Sequence, residues 1–202
     1  MKQVAWAGAV LALAACYPGG AETVEDLDSV ATRHDASASF STIRTYALPD
    51  SIQDVSSPHG HPLPIDHSYD AQILARVASH LDALGFQRVD PATTSPDVSV
   101  LVTATATRYV ECVSYPFWPG GFSGFDASWS IYYPYGTTCA AVLDAGSVRI
   151  EMLDMRTANA STKQLTAIWN ASIDGVLEQN NASNVQRAEN GIDQAFAQSP
   201  YL

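Results

Sequence analysis

The sequence predicts an α+β domain, a two-layer sandwich in which two helices cover one face of a mainly antiparallel sheet. Three features indicate this class: one long segment with strand periodicity, one pair of such segments joined by a short turn, and two segments with helical periodicity. A disulfide-stapled aromatic loop is expected to leave the sheet between the long strand and the pair.

The long strand is predicted from strict alternation after Pro96. One face carries Val98, Val100, Val102, Ala104 and Ala106, and the other carries Ser99, Thr103, Thr105 and Thr107. Successive side chains of a strand point to opposite faces, so this pattern indicates a half-buried strand. We therefore expect an antiparallel sheet with one face toward solvent.

A hairpin is predicted nearer the C-terminus. Its first strand runs from Ser147 to Met152 and exposes Arg149 and Glu151. A turn at 157–162 leads to a strand whose apolar residues also alternate: Leu165, Ala167, Trp169, Ala171 and Ile173. Two earlier strands are predicted over 29–34 and 38–48.

Two helices complete the prediction. The first is capped by Asp66 or Ser68, carries the apolar stripe Ile73, Val77, Leu81 and Leu84, and stops at Gly85. The second starts at Ser183, with Gln186 completing a capping box. Its apolar stripe consists of Val185, Ala188, Ile192 and Phe196, and Pro200 ends it.

Composition limits the function classes. A hydrophobic content of 47% excludes a wholly disordered chain, and 202 residues suit one domain with a core. The net charge of −11 and the lack of a basic run exclude nucleic acid as a partner.

The N-terminus predicts export and lipid anchoring. Lys2 precedes an uncharged apolar run that is too short to span a bilayer but long enough for a signal peptide. The run closes on Leu13-Ala14-Ala15-Cys16, which resembles the lipobox of bacterial lipoproteins, with Cys16 as the lipidated residue. We expect three segments: a signal peptide over 1–15, a lipidated cysteine with a flexible acidic tether over 16–28, and a domain over 29–202. Tyr17 after the cysteine indicates the periplasmic face of the outer membrane, by the sorting rule of that class.

The remaining cysteines, Cys112 and Cys139, are predicted to form a disulfide, because an even pair in an oxidising compartment is typical of one. Such a bridge would close a 28-residue span and contribute ~3–4 kcal/mol in the loop-entropy model. Redox and metal roles are less favoured, because the two lack a Cys-x-x-Cys spacing.

The segment between these cysteines holds nine of the nineteen aromatic residues and a single charge, that of Asp126. One interpretation is a cover over apolar sheet surface. The other is a binding surface for an envelope protein, a glycan or the membrane interface, and we predict this role for Phe117, Trp118, Phe122, Phe125, Trp129, Tyr132 and Tyr133.

Catalytic and metal motifs are weak. His59, His61 and His67 share a loop with two aspartates, which makes them the candidate ligands for a transition metal. The competing interpretation is a solvated proline-rich loop. No nucleophile with a partner base, phosphate loop or cofactor motif was found, so we predict a non-enzymatic interaction or assembly module without a cofactor. The alternative is a periplasmic carrier of a small ligand or a metal.

Several ordered motifs resemble one family. Phe40-Ser41-Thr42-Ile43-Arg44-Thr45-Tyr46-Ala47 resembles its "Phe-Ser-x-Tyr-Lys-Thr-Tyr-Ala" strand, with departures at Ile43 and Arg44. Leu84-Gly85-Phe86 with Asp97-Val98, the tryptophan strand 165–169 and the final segment 191–200 match further motifs in the same order. The chain is similar over residues 29–202 to the bacterial lipoprotein group called domain of unknown function 4136. The resemblance implies lipoprotein status and the fold, and it brings no catalytic residues.

Overall fold

A computed structural model of the chain describes residues 29–55, 65–107, 111–112, 124–126, 128–136, 139–140, 145–176 and 181–202. Two α-helices and ten strands lie in these residues. The helices are α1 (Asp70–Ala83) and α2 (Asn181–Ala197), and the strands are β1 (Ser29–His34), β2 (Thr45–Ala47), β3 (Gln53–Asp54), β4 (Gln87–Arg88), β5 (Val98–Thr107), β6 (Glu111–Cys112), β7 (Ser130–Tyr132), β8 (Cys139–Ala140), β9 (Ala145–Asn159) and β10 (Gln164–Asp174). Short 3-10 helices occupy Phe40–Thr42 and His67–Tyr69.

The main sheet is open and has eight strands in the order β1-β10-β9-β5-β2-β4, with β3 beside β5 and β7 beside β10. Its longest ladders, β1 with β10, β10 with β9 and β9 with β5, are antiparallel. The short strands β2, β3, β4 and β7 pair in parallel. The predicted α+β class is therefore confirmed.

Both α-helices contribute to one core on the same face of this sheet. The side chains that face the helices alternate along β5 and β9 as predicted, and they pack in one core with Ile73, Val77 and Leu81 of α1 and with Ala188 and Ile192 of α2. Val185 of α2 is buried as well. Apolar burial of this kind is the main favourable term in folding. Within the described residues no helix is both long and apolar enough to cross a bilayer.

Several predicted boundaries were wrong for local reasons. Residues 38–48 form a 3-10 turn and only the three-residue strand β2. Leu84 lies beyond the end of α1 and is exposed, although Gly85 does stop the helix with a left-handed φ of +86°. Helix α2 begins two residues before Ser183, which therefore lies inside the helix and is not its cap.

The prediction that one face of the sheet is exposed to solvent was also wrong. Opposite the helices, Leu101, Leu153, Leu165 and Ala167 form a second core, which Phe125, Trp129, Tyr133 and Tyr135 of the aromatic segment cover. A register shift in β10 between Ala167 and Trp169 causes part of this arrangement. Such a bulge changes which face successive side chains reach, so Leu165 and Ala167 face the second core while Trp169 and Ile173 face the helices.

The predicted disulfide is not supported. Strands β6 and β8 form a separate two-stranded ladder in which Cys112 lies directly opposite Cys139. No disulfide is found in the described part of the chain, and the side chains of both cysteines lie outside that part. For this prediction, the structure therefore gives only the pairing of the two cysteine positions across the β6–β8 ladder.

Candidate functional site

A cleft opens at one end of the domain, where the first turns of both α-helices meet the sheet. We call it the helix-side cleft, and its volume is about 360 Å³. Its apolar lining comes from Ile52, Ile65, Ile73, Val148, Val176 and Val185. Concave apolar sites of this size with a few polar groups are typical of small-ligand binding.

Two aspartates, Asp66 and Asp70, line the cleft, and the buried Asp70 is the more constrained of them. Its carboxylate accepts a hydrogen bond from the backbone N–H of Ile52 at 2.9 Å, and its other contact is His67 Nδ1 at 3.1 Å. His67 Nε2 lies 3.1 Å from a carboxylate oxygen of Asp54 in β3. One histidine thus links β3 to the start of α1 beside the cleft. Asp66 caps the short 3-10 helix through the N–H of Ser68.

The two carboxylates beside His67 favour its charged form. Its contacts with the Asp70 and Asp54 carboxylates raise its pKa above the usual value for histidine, because both contacts favour the imidazolium. Through Asp54 and Asp70, His67 has the structural role of holding β3 against the start of α1.

This contact predicts a pH-dependent contribution to stability. A histidine whose pKa is higher in the folded chain than in the unfolded chain stabilises the fold. This stabilisation is fully present at pH values below the pKa of the unfolded chain, and it is lost as pH rises through the pKa of the folded chain. His67→Asn should remove that dependence, so wild type should lose stability relative to the variant between pH 6 and pH 8.5 in urea unfolding. The effect should stay below ~1 kcal/mol, because His67 is largely exposed. Parallel pH profiles would contradict the prediction.

Of the three candidate metal ligands, only His67 lies in the described residues. The described residues contain no group of three histidine, cysteine, aspartate or glutamate side chains that could hold a metal ion. His67 is described, and its ring nitrogens contact carboxylates. His59 and His61 lie outside the described residues.

The predicted aromatic surface is divided between the cover and the solvent. Phe125, Trp129 and Tyr133 pack against the second core, and Phe125 meets Trp129 edge to face with ring centroids 4.4 Å apart. Tyr132 is 51% exposed. Phe117, Trp118 and Phe122 lie outside the described residues. The described part of the segment therefore serves mainly as a cover, which was the competing sequence interpretation.

Glu151 lies under this cover, although the sequence predicted it to be exposed. Only 2% of it is accessible, its Oε1 accepts a hydrogen bond from Tyr133 Oη at 2.8 Å, and Arg149 Nη1 is 4.0 Å away. Burial raises the pKa of this carboxyl, and Arg149 and Tyr133 only partly oppose the effect. The buried hydroxyl of Tyr135 makes no hydrogen bond within the described structure. Buried ionisable groups with shifted pKa values are common at functional sites, although structural networks also contain them.

The sequence did not reveal the cleft, because its lining comes from separate segments of the chain. Ile52, Ile73, Val148 and Val185 each belong to a different segment. The last three look like ordinary core residues in their own periodic patterns, and Ile52 lies in a stretch whose composition is typical of a loop. The one local signal was the run of aspartates and histidine before α1, which we interpreted as a helix cap and a metal loop.

Comparison with known proteins identifies the family. The model of "Domain of unknown function (DUF4136)" matches residues 30–201. A solved DUF4136 family protein from Bacteroides thetaiotaomicron is similar to this chain, with 25% identity, a TM-score of 0.62, and coverage of 87% of this chain and 97% of that one. No curated protein sequence matches.

Two further solved structures are similar at lower scores. A PDZ domain protein from Parabacteroides distasonis is 12% identical with a TM-score of 0.45, covering 87% of this chain and 36% of that one. The PelC dodecamer from Paraburkholderia phytofirmans is 11% identical with a TM-score of 0.41, covering 84% of this chain and 96% of that one. The family match spans nearly the whole described domain, so the chain belongs to the DUF4136 family of unknown function.

Proposed function

We propose that this chain is a non-enzymatic binding protein of the bacterial cell envelope that holds a small, largely apolar ligand in the helix-side cleft. Acyl chains on Cys16 would anchor it, as the N-terminal sequence predicts. The single observation that carries the proposal is the cleft itself, with about 360 Å³ of space and a mainly aliphatic lining. Ligand pockets typically combine such a lining with a few fixed polar groups.

The charge of the cleft lining narrows the ligand class. Asp66 and Asp70 both line the cleft, the Asp70 carboxylate is paired with His67, and the whole chain carries a net charge of −11. A polar end with a net negative charge would be repelled, whereas a polar end that is neutral overall or cationic would not. The proposed ligand therefore has an apolar body and a polar end that is neutral or positively charged.

The aromatic segment supports this choice over a partner-binding surface. Phe125, Trp129 and Tyr133 are used in the second core, which leaves Tyr132 as the exposed member among the described candidates.

A Cys112–Cys139 bridge remains part of the proposal. Directly opposed residues in an antiparallel ladder have Cα atoms ~4.5–5.5 Å apart, which lies within the range that disulfides span.

The test measures binding of the neutral apolar probe N-phenyl-1-naphthylamine, which is monitored through the fluorescence of the probe. A chain of residues 17–202 contains every described strand and helix, and circular dichroism and thermal unfolding would verify its fold. Two variants fill the cleft from different elements, Ala188→Phe from α2 and Ala104→Phe from β5. Each should weaken probe binding by at least about tenfold, because the added ring occupies the space of the probe.

The matched control is Ala197→Phe, which adds the same ring at the exposed end of α2. It should bind the probe as wild type does. Absence of binding to wild type, or equal binding by all four folded proteins, would contradict the proposal. Two filling variants are used so that the loss of folding in one still leaves a test.

A further inference from the structure

The helix-side cleft opens at the end of the sheet where the N-terminal segment joins the domain. Strand β1 begins at Ser29, which pairs with Asp174, and Asp174 pairs with Ser147 on the next strand. Ser147 in turn pairs with Thr105 of β5. Both Ser147 and Thr105 line the cleft. The point where residues 16–28 join the sheet therefore lies in the same cross-strand row as the cleft lining.

The helices lie with their first turns at this same end. Asp70 and Ile73 come from the first turn of α1, and Asn184, Val185 and Ala188 come from the first eight residues of α2. The cleft thus opens at the end of the domain to which the N-terminal segment is attached.

The length of that segment limits how far the cleft end can lie from a membrane. Thirteen residue steps separate Cys16 from Ser29, and a chain extends by at most ~3.6 Å per residue. The start of β1 therefore cannot lie more than ~47 Å from an acylated Cys16. An anchored chain keeps its cleft end within this distance of the bilayer.

We propose that the ligand of the cleft is an acyl chain of a membrane phospholipid with an ammonium headgroup, taken from the bilayer that anchors the protein. This inference rests on the proposed function and names its ligand. The aliphatic lining suits an acyl chain. The Asp66 carboxylate that lines the cleft suits an ammonium group of the phosphatidylethanolamine type, whose positive charge offsets that of the lipid's own phosphate, and the net charge of −11 disfavours a lipid with a net negative charge.

The experiment is photo-crosslinking of the full chain in cells grown on ³²P-phosphate. Asn184→p-benzoylphenylalanine places the crosslinker at the half-buried start of α2, beside the cleft. Ala197→p-benzoylphenylalanine places it at the exposed end of the same helix as a matched control. Phosphorus bound covalently to the polypeptide reports a phospholipid, because acyl groups on Cys16 contain none.

The variant at Asn184 should carry at least about tenfold more ³²P than the control, and thin-layer chromatography of the released headgroup should identify the ammonium lipid. Adding Ala188→Phe to the Asn184 variant should remove the label. Adding Cys16→Ala should also reduce it, since the cleft is then no longer held at the membrane. Equal labelling at both positions, a purely anionic lipid, or no effect of Cys16→Ala would overturn the inference.

The outcomes separate this inference from the proposed function. If ³²P is absent from the Asn184 variant but the filling variants still block the naphthylamine probe, the ligand-binding function stands and the phospholipid is excluded. If the probe also fails to bind, the cleft has no ligand and both proposals fall.

Discussion

Gly191→Ala is expected to destabilise the domain by up to about 2 kcal/mol, since its added methyl group has no room. A Cβ at this position of α2 would lie 2.3 Å from Cγ2 of Ile173. Ile173 is buried in β10 and lies opposite Val148 in the sheet, so its branched side chain has little freedom to yield. The close approach of α2 to the sheet therefore requires glycine.

Helix propensity alone would make this substitution stabilising. Alanine is more favourable than glycine inside a helix by ~1 kcal/mol, so the same change at a helix position with free space around it would raise the stability. Overpacking of a buried contact costs ~1–3 kcal/mol, so the net change is a loss of up to ~2 kcal/mol. Urea unfolding measures the difference, and the melting temperature should fall by up to ~8 °C for a domain of this size.

Two further variants isolate the cause. Gln194→Ala on the exposed side of the same helix should be neutral or slightly stabilising, because the side chain is exposed and alanine is the better helix former. Ile173→Ala alone should destabilise by leaving a cavity, and the double variant should cost less than the sum of the two single changes. Additive losses would show that the contact between Gly191 and Ile173 is not the reason.

Periodic patterns predicted the parts of the fold that bury one face of a regular element. Val98, Val100 and Val102 alternate in the sequence and face the helices in the structure, and the stripe of Ile73, Val77 and Leu81 does the same from α1. These elements are long enough to show their period. Strands β2, β3 and β4 have two or three residues each, which is too short for any period to appear.

Long-range packing explains what the sequence did not reveal. Glu151 alternates with buried residues and is charged, so the local pattern assigns it to solvent. Its burial arises because a segment earlier in the chain, carrying Trp129 and Tyr133, folds across the opposite sheet face. The cleft has the same origin, because it exists only where segments distant in the chain meet.

Burial of Glu151 predicts that the domain loses stability as pH rises. The folded state raises the pKa of this carboxyl above its ordinary unfolded value, so the folded chain keeps a proton that the unfolded chain has released. The stabilisation from this proton is fully present at pH values below the pKa of Glu151 in the unfolded chain, and it is lost as pH rises toward the pKa of Glu151 in the folded chain. The loss can reach ~1.4 kcal/mol for each pH unit within this window, the limit for a single proton.

Glu151→Gln should flatten that pH profile. Glutamine has no charge to desolvate and keeps an oxygen that can accept the hydrogen bond of Tyr133. The difference between variant and wild type should shift in favour of the variant from pH 5 to pH 8.5 in urea unfolding. Any constant penalty from weakening the contact with Arg149 changes the offset between the curves but not their slopes.

The comparison is best made in the His67→Asn background, because His67 also loses its contribution as pH rises. Asp193, whose pKa is lowered chiefly by Arg76, loses its contribution only as pH falls through that depressed value, so it does not interfere above pH 5. If both proteins keep the same slope, Glu151 ionises freely in the folded state and the aromatic cover admits water. A flatter slope in the variant would show that the segment over β9 keeps a carboxyl dry and protonated, which a loosely attached binding loop does not do.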